Sequence, residues 1–187
     1  MKLAFDTVFF TDRKRCANLS LTIAKLPKNS AVIFREYDLK SDEREALAKE
    51  IIAICRAKNH KILIAKDLAL ARKLGADGTH FSDHDKLPLQ IFNRQNYPRK
   101  FIFSFACHNF LSVIKLQKLE ADLIFVSPIF ATKSHPNAAP IGLRQLSKII
   151  RYSKIPIFAL GGINKKNVYA IKKLGACGFG AIENFIK

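Results

Sequence analysis

No apolar run in the chain approaches the about 20 residues that a bilayer-spanning helix requires, so a helical membrane span is not expected. The opening residues, MKLAFDTVFFTDRKR, hold two short apolar patches broken by Asp6 and do not make a signal peptide; the expectation is a cytoplasmic protein. Cysteine is sparse and scattered. Cys16, Cys55, Cys107 and Cys177 form no CxxC or other tight pair, so neither a disulfide framework nor a zinc site is announced, and reduced structural thiols are expected. Acidic residues are also short, with 15 Asp and Glu against 32 Lys and Arg, a formal net charge of +17. Such an excess suits nucleic-acid binding. Here, however, the basic residues run along the whole chain, many at outer helix positions such as Lys165, Lys166, Lys172 and Lys173. No RNA-binding or helix-turn-helix signature accompanies them. A nucleic-acid partner is therefore not expected, and the milder consequence of the field is attraction of small phosphorylated substrates.

What is present is enough for one buried core: 187 residues, 49% of them hydrophobic, reading as a single domain over 1–187. Eight apolar segments follow one another, at Phe5–Phe10, Ala31–Phe34, Lys61–Ala65, Gly78–Phe81, Lys100–Phe105, Leu123–Phe130, Ile155–Leu160 and Gly178–Ile182. Between the second and third, Ser41 caps a helix whose Ala46, Leu47, Ile51, Ile54 and Cys55 share one face. An internal echo supports repeated units: KLGADGTHF at 73–81, KLEADLIFV at 118–126 and KLGACGFGA at 173–181. Each ends a helix with Lys-Leu, turns through small residues and starts a strand. Gly75 and Gly175 suit a helix C-terminus that needs positive φ. Alternating strands and helices in this register predict an α/β fold, a single (β/α)₈ TIM barrel. A doubly wound open sheet is the alternative. Only Glu183–Lys187 remains after the last strand, so the final helix is expected to be short or missing.

The organising stretch is 121–167, which reads as strand, polar loop, helix, strand, glycine turn and helix. Its unusual residues, Thr132, Ser134, His135, Gly161 and Gly162, fall at the C-terminal ends of parallel strands, where such folds bind ligands. Asn164 is placed to cap the helix after the glycines, and helix N-terminal amides there suit a phosphate. His108 ends the fifth strand at the same edge. His80 and His84 point to one side of a strand about 13 Å apart, too far for a built-in zinc site without a tight loop.

These motifs, taken in order, resemble the thiamine-phosphate synthases and the related thiazole tautomerases. The likeness runs through FREY at 34–37, LGADGTHFSDHD at 74–85, CHN at 107–109, SPIFATKSHP at 127–136, IPIFALGGIN at 155–164 and LGACGFGAI at 174–182. It implies a small (β/α)₈ barrel that joins a hydroxymethylpyrimidine diphosphate to a thiazole phosphate and releases pyrophosphate with Mg²⁺. Because a pyrimidinyl cation forms as the diphosphate leaves, the site must chiefly grip and neutralise the leaving group. The resemblance implies that Arg35, His108, Thr132, Ser134 and His135 face the diphosphate, that Asp85 holds magnesium, and that Gly161, Gly162, Ile182 and Glu183 lie at the thiazole phosphate. The chain departs from the pattern at four places. Tyr37 and His135 stand where the family has lysine, Ala65-Lys66 where it has an Asn-Asp pair carrying the other magnesium ligand, and Glu183 where it has a small hydroxyl residue. Asp67 would replace the lost ligand only through a loop shift. In thiazole tautomerases an acid/base histidine lies near Pro128, so His135 does not inherit that role. Three readings remain open: a synthase whose Lys66 neutralises the diphosphate directly, a tautomerase-type or non-coupling relative, and a non-enzymatic barrel that binds a phosphorylated intermediate or RNA.

Overall fold

The computed structural model describes residues 3–83, 85–88, 93–132 and 139–186. Eight parallel strands close into a barrel in the order β1 to β8. They are β1 (Thr7–Phe10), β2 (Ala31–Phe34), β3 (Lys61–Ala65), β4 (Gly78–Phe81), β5 (Ile102–Cys107), β6 (Leu123–Val126), β7 (Ile157–Leu160) and β8 (Gly178–Ala181). The helices are α1 (Leu19–Ala24), α2 (Ser41–Ala57), α3 (Leu68–Lys73), α4 (Phe110–Lys118), α5 (Gly142–Tyr152) and α6 (Val168–Lys173). This is the barrel expected from the sequence, and the open sheet is excluded because β8 pairs with β1, Val8 opposite Gly180. None of the helices among the described residues is long and apolar enough to cross a membrane.

Several boundaries differ from the sequence expectation. The sixth strand stops at Val126 instead of Phe130, where Ser127-Pro128 is a cis peptide and the chain turns across the barrel mouth. Ser41 is the first residue of α2 and not its cap; the Glu43 carboxylate accepts the Lys40 amide instead. Asn164 does not cap α6. Asn167 precedes that helix, and its side chain accepts the Asn164 amide and donates to the Gly162 carbonyl. After β8 the described residues form a 3₁₀ turn, Glu183–Phe185. Among the described residues, the connection from β4 to β5 carries a 3₁₀ turn, Arg94–Asn96.

Strand alternation divides the core into two layers. Val8, Phe10, Ile33, Leu63, Phe125 and Phe158 fill the lumen, with His80 and Ser104 joined to each other among them. Phe9, Ile51, Ile64, Val113, Leu146 and Ile171 pack the barrel wall against the helices. The three sequence repeats share one turn: Gly75, Glu120 and Gly175 all have positive φ, at 63°, 54° and 89°. The next-but-one residue then ties down the preceding strand. Asp77 accepts the Ile62 amide and Asp122 the Phe103 amide, whereas the third repeat offers the exposed Cys177. All four cysteines are free thiols.

Two substitutions test this reading in urea unfolding. Glu120→Gly relieves a left-handed side chain at an exposed turn and should stabilise the fold by about 0.5 kcal/mol. Gly178→Ala should cost about 2 kcal/mol or more, because its Cβ would land on the Asp6 carbonyl and the Phe158 ring at the closing seam.

Candidate active site

The C-terminal strand ends gather the charged residues. Arg35 follows β2. Its Nε donates to the Thr11 carbonyl at 2.8 Å, its Nη2 reaches Asp12 at 3.4 Å, and its guanidinium lies 5.9 Å from the Phe10 ring. Burial pulls its pKa down, opposed by neighbouring Tyr37, Asp12 and Glu36. The neighbouring Glu36 pairs with Arg13 at 3.3 Å, and Asp12 takes Arg35.

Lys66 follows β3, with its backbone in the left-handed region at φ 63°. Its amide donates to the His80 carbonyl on β4, its ammonium meets Asp85 Oδ1 at 2.8 Å, and it lies 4.9 Å from the Tyr37 ring centroid. The other Asp85 oxygen accepts the Ser82 amide at 2.6 Å. Burial alone would raise the Asp85 carboxyl, but the bonds from Lys66 and Ser82 outweigh it and hold it below the usual carboxylate range. Asp67 is not a substitute ligand. It caps α3 through the Leu70 amide at 2.8 Å and pairs with Arg44 at 3.0 Å.

Arg44 is a residue that sequence reasoning passed over. It reaches from α2 to the carbonyls of Arg35 and Ala65 at 3.3 and 2.8 Å, so one guanidinium joins the ends of β2 and β3. Nothing in its spacing marks this. The signal would have been an arginine one turn into a helix whose neighbouring strand ends carry polar loops.

Across the mouth, Gly161 and Gly162 follow β7 with φ of 91° and 67°. A Cβ at Gly161 would sit 2.9 Å from Pro128, and one at Gly162 would strike the Ala131 carbonyl. The glycines are thus required by the close approach of the 128–131 segment, which donates its Ile129 and Phe130 amides to Leu160 and Gly161. Among the described residues no hydrogen bond is made by the Gly161 or Gly162 amides. Ile182 and Glu183 follow β8, and Arg15 lies 3.8 Å from the Glu183 carboxylate, offsetting the negative charge expected there.

His108 follows β5, bonds Ser127 O at 2.6 Å, and lines a recess of about 500 Å³ with Phe110, Ile141, Lys148 and Tyr152. Thr132 is half-buried at the end of a described segment. Ser134, His135 and His84 lie outside the described residues. His80 faces the lumen, with Nδ1 2.6 Å from Ser104 Oγ, and is not poised as a metal ligand.

Magnesium is the cofactor that the sequence resemblance implies, and the donor set here does not fit it. Both Asp85 oxygens are engaged, one by an ammonium, and Asp67 is committed to a helix cap and an arginine. Among the described residues no three His, Cys, Asp or Glu side chains converge to hold a metal ion.

Residues 7–185 match the thiamine monophosphate synthase family. The chain belongs to that family. It is 37% identical, over 95% of both chains, to a protein of Aquifex aeolicus provisionally named thiamine-phosphate synthase 2. It is 34% identical to the thiamine-phosphate synthase of Syntrophomonas wolfei, over 96% of this chain and 87% of the relative. The barrel superimposes on the thiamine phosphate pyrophosphorylase of Pyrococcus furiosus with a TM-score of 0.84, over 97% of this chain and 87% of that one, at 22% identity, which speaks for the fold. Family membership supports a role in thiamine biosynthesis and small phosphorylated substrates.

Buried His80 gives the site region a pH signature. Burial drives its pKa down to about 3, helped by Arg35 and Lys66 and opposed by Asp85. The unfolded chain therefore binds the extra proton first, below about 6.5, and stability must fall as pH drops from there toward 3. The expected slope from this group is at most about 1.4 kcal/mol per pH unit. Urea unfolding of His80→Asn across that range should show the slope reduced by one proton.

Proposed function

We propose that this barrel is a thiamine-phosphate-synthase-type transferase, joining hydroxymethylpyrimidine diphosphate to thiazole phosphate and releasing pyrophosphate. The observation that carries the reading is the arrangement of two anion-suited regions around one rim. Arg35 and its neighbours end β2 to β4, and the paired glycines end β7. As the C–O bond to the diphosphate breaks, a pyrimidinyl cation forms and the thiazole nitrogen supplies the electron pair for the new C–N bond. The residues then have to hold two anions in line and stabilise the departing one, with no strong general base needed. Arg35, preorganised by Thr11 and Asp12, faces the leaving group in this reading. The Gly161 and Gly162 amides take the thiazole phosphate, with Arg15 offsetting Glu183 beside them.

The second reading is a relative that binds phosphorylated intermediates without coupling them, and the engagement of Asp85 by Lys66 is what favours it. Pyrophosphate release by the purified chain with both substrates separates the two. Turnover is expected, falling about 100-fold in Arg35→Gln with an unchanged melting temperature. Binding of thiazole phosphate with no pyrophosphate released would decide for the non-coupling relative.

A further inference from the structure

We infer that Lys66 is the built-in cation of the diphosphate end, so that a pyrophosphate group is held there without a divalent metal ion. The inference rests on the diphosphate reading of that rim and deepens it.

The backbone is the first argument. Among non-glycine residues at the strand C-terminal ends, Glu36 and Lys66 have positive φ, at 27° and 63°. Glycine or asparagine would hold such a position with less strain, and strained residues gather where a side chain must be aimed. The second argument is what aims it. Asp85 grips the ammonium at 2.8 Å, while the Tyr37 ring, 4.9 Å away, offers a cation–π face. The Asp85 side chain is 12% exposed and that of Lys66 46%, so the carboxylate acts as the buried anchor and the ammonium as the accessible end. An ammonium carries three donors, and the Asp85 bond uses one. The others suit phosphoryl oxygens, for which lysine is a compact point charge.

The third argument is what the pair prevents. A magnesium ion needs hard oxygen ligands at about 2.1 Å in near-octahedral order. At Asp85 Oδ1 it would have to displace the ammonium and then sit beside it, like charge against like. Asp67, the next carboxylate along, is held by Leu70 and Arg44. One residue thus supplies the positive charge that two carboxylates and a metal would otherwise assemble.

The test is calorimetric titration of the full chain with inorganic pyrophosphate, first in EDTA and then in excess magnesium. Binding is expected in EDTA. Lys66→Asn, which tolerates the left-handed backbone, should weaken it at least about tenfold with no loss of melting temperature. Lys49→Gln on the outer face of α2 controls for general charge and should leave affinity unchanged. Asp85→Asn should retain binding, since the ammonium remains. Binding that requires magnesium and vanishes in Asp85→Asn overturns the inference, as does binding indifferent to Lys66→Asn or absent in both buffers. The outcomes separate it from the proposed activity. Pyrophosphate release that needs magnesium sinks this inference and leaves the transferase standing. Metal-free pyrophosphate binding without coupling does the reverse.

Discussion

Closure of the sheet is the constraint on which everything else rests. A parallel sheet left open would put β2 to β4 and β7 far apart, and their loops would never share a rim. Closure requires β8 to lie against β1 while the lumen is filled by aromatic side chains. The chain meets this with Gly178 and Gly180 in β8, which leave room for Phe158 and Phe10. The Phe10, Phe125 and Phe158 rings then pack edge to face, with centroids 5.0 and 5.6 Å apart between neighbours. Small residues in the last strand and large ones in its neighbours are one solution, not two.

Closure brings the positive strand ends together, and that creates an electrostatic problem. Four cations at the strand ends carry nearby carboxylates: Arg35 with Asp12, Arg44 with Asp67, Lys66 with Asp85, Arg13 with Glu36. Half-buried pairs of this kind contribute little net stability, since desolvation offsets much of the attraction. What they supply is position. Arg44 shows it most clearly, since its guanidinium also takes two backbone carbonyls and is only 11% exposed. It fixes the spacing of the β2 and β3 ends, and Arg35 and Lys66 are carried by the backbone it holds.

Much of the fold was legible because it is written in local terms. Apolar runs, Lys-Leu-Gly turns and the short remainder after β8 are each visible in a few consecutive residues, and eight units in order leave few architectures. The 3₁₀ turn that joins β4 to β5 among the described residues was not read from the sequence. The end of β6 was hidden too: Ile129 and Phe130 are apolar because they pack under the β7 turn, not because they continue a strand. For the site, residue types and their strand-end placement were readable, and the match of family motifs supplied their expected partners. Pairings across loops were not. Arg35 with Asp12 and the Lys66–Asp85 pair depend on register between units, which a linear sequence does not display, whereas Asn167 in place of Asn164 is a choice made within one local turn.

The floor of the rim completes the electrostatic logic. His80 lies in the lumen between Phe10 and Phe125, at 5.4 and 5.6 Å, and is bound to Ser104. Its surroundings are dry and aromatic, and Arg35 and Lys66 lie close enough to disfavour a further positive charge. A neutral imidazole is the only form that satisfies both conditions. It fills the lumen beneath the charged ends, satisfies a buried hydroxyl, and adds nothing to the field above it. The cations at the mouth therefore act against a neutral base. Their force is directed outward by the low dielectric of the barrel interior, toward whatever anion settles on the rim.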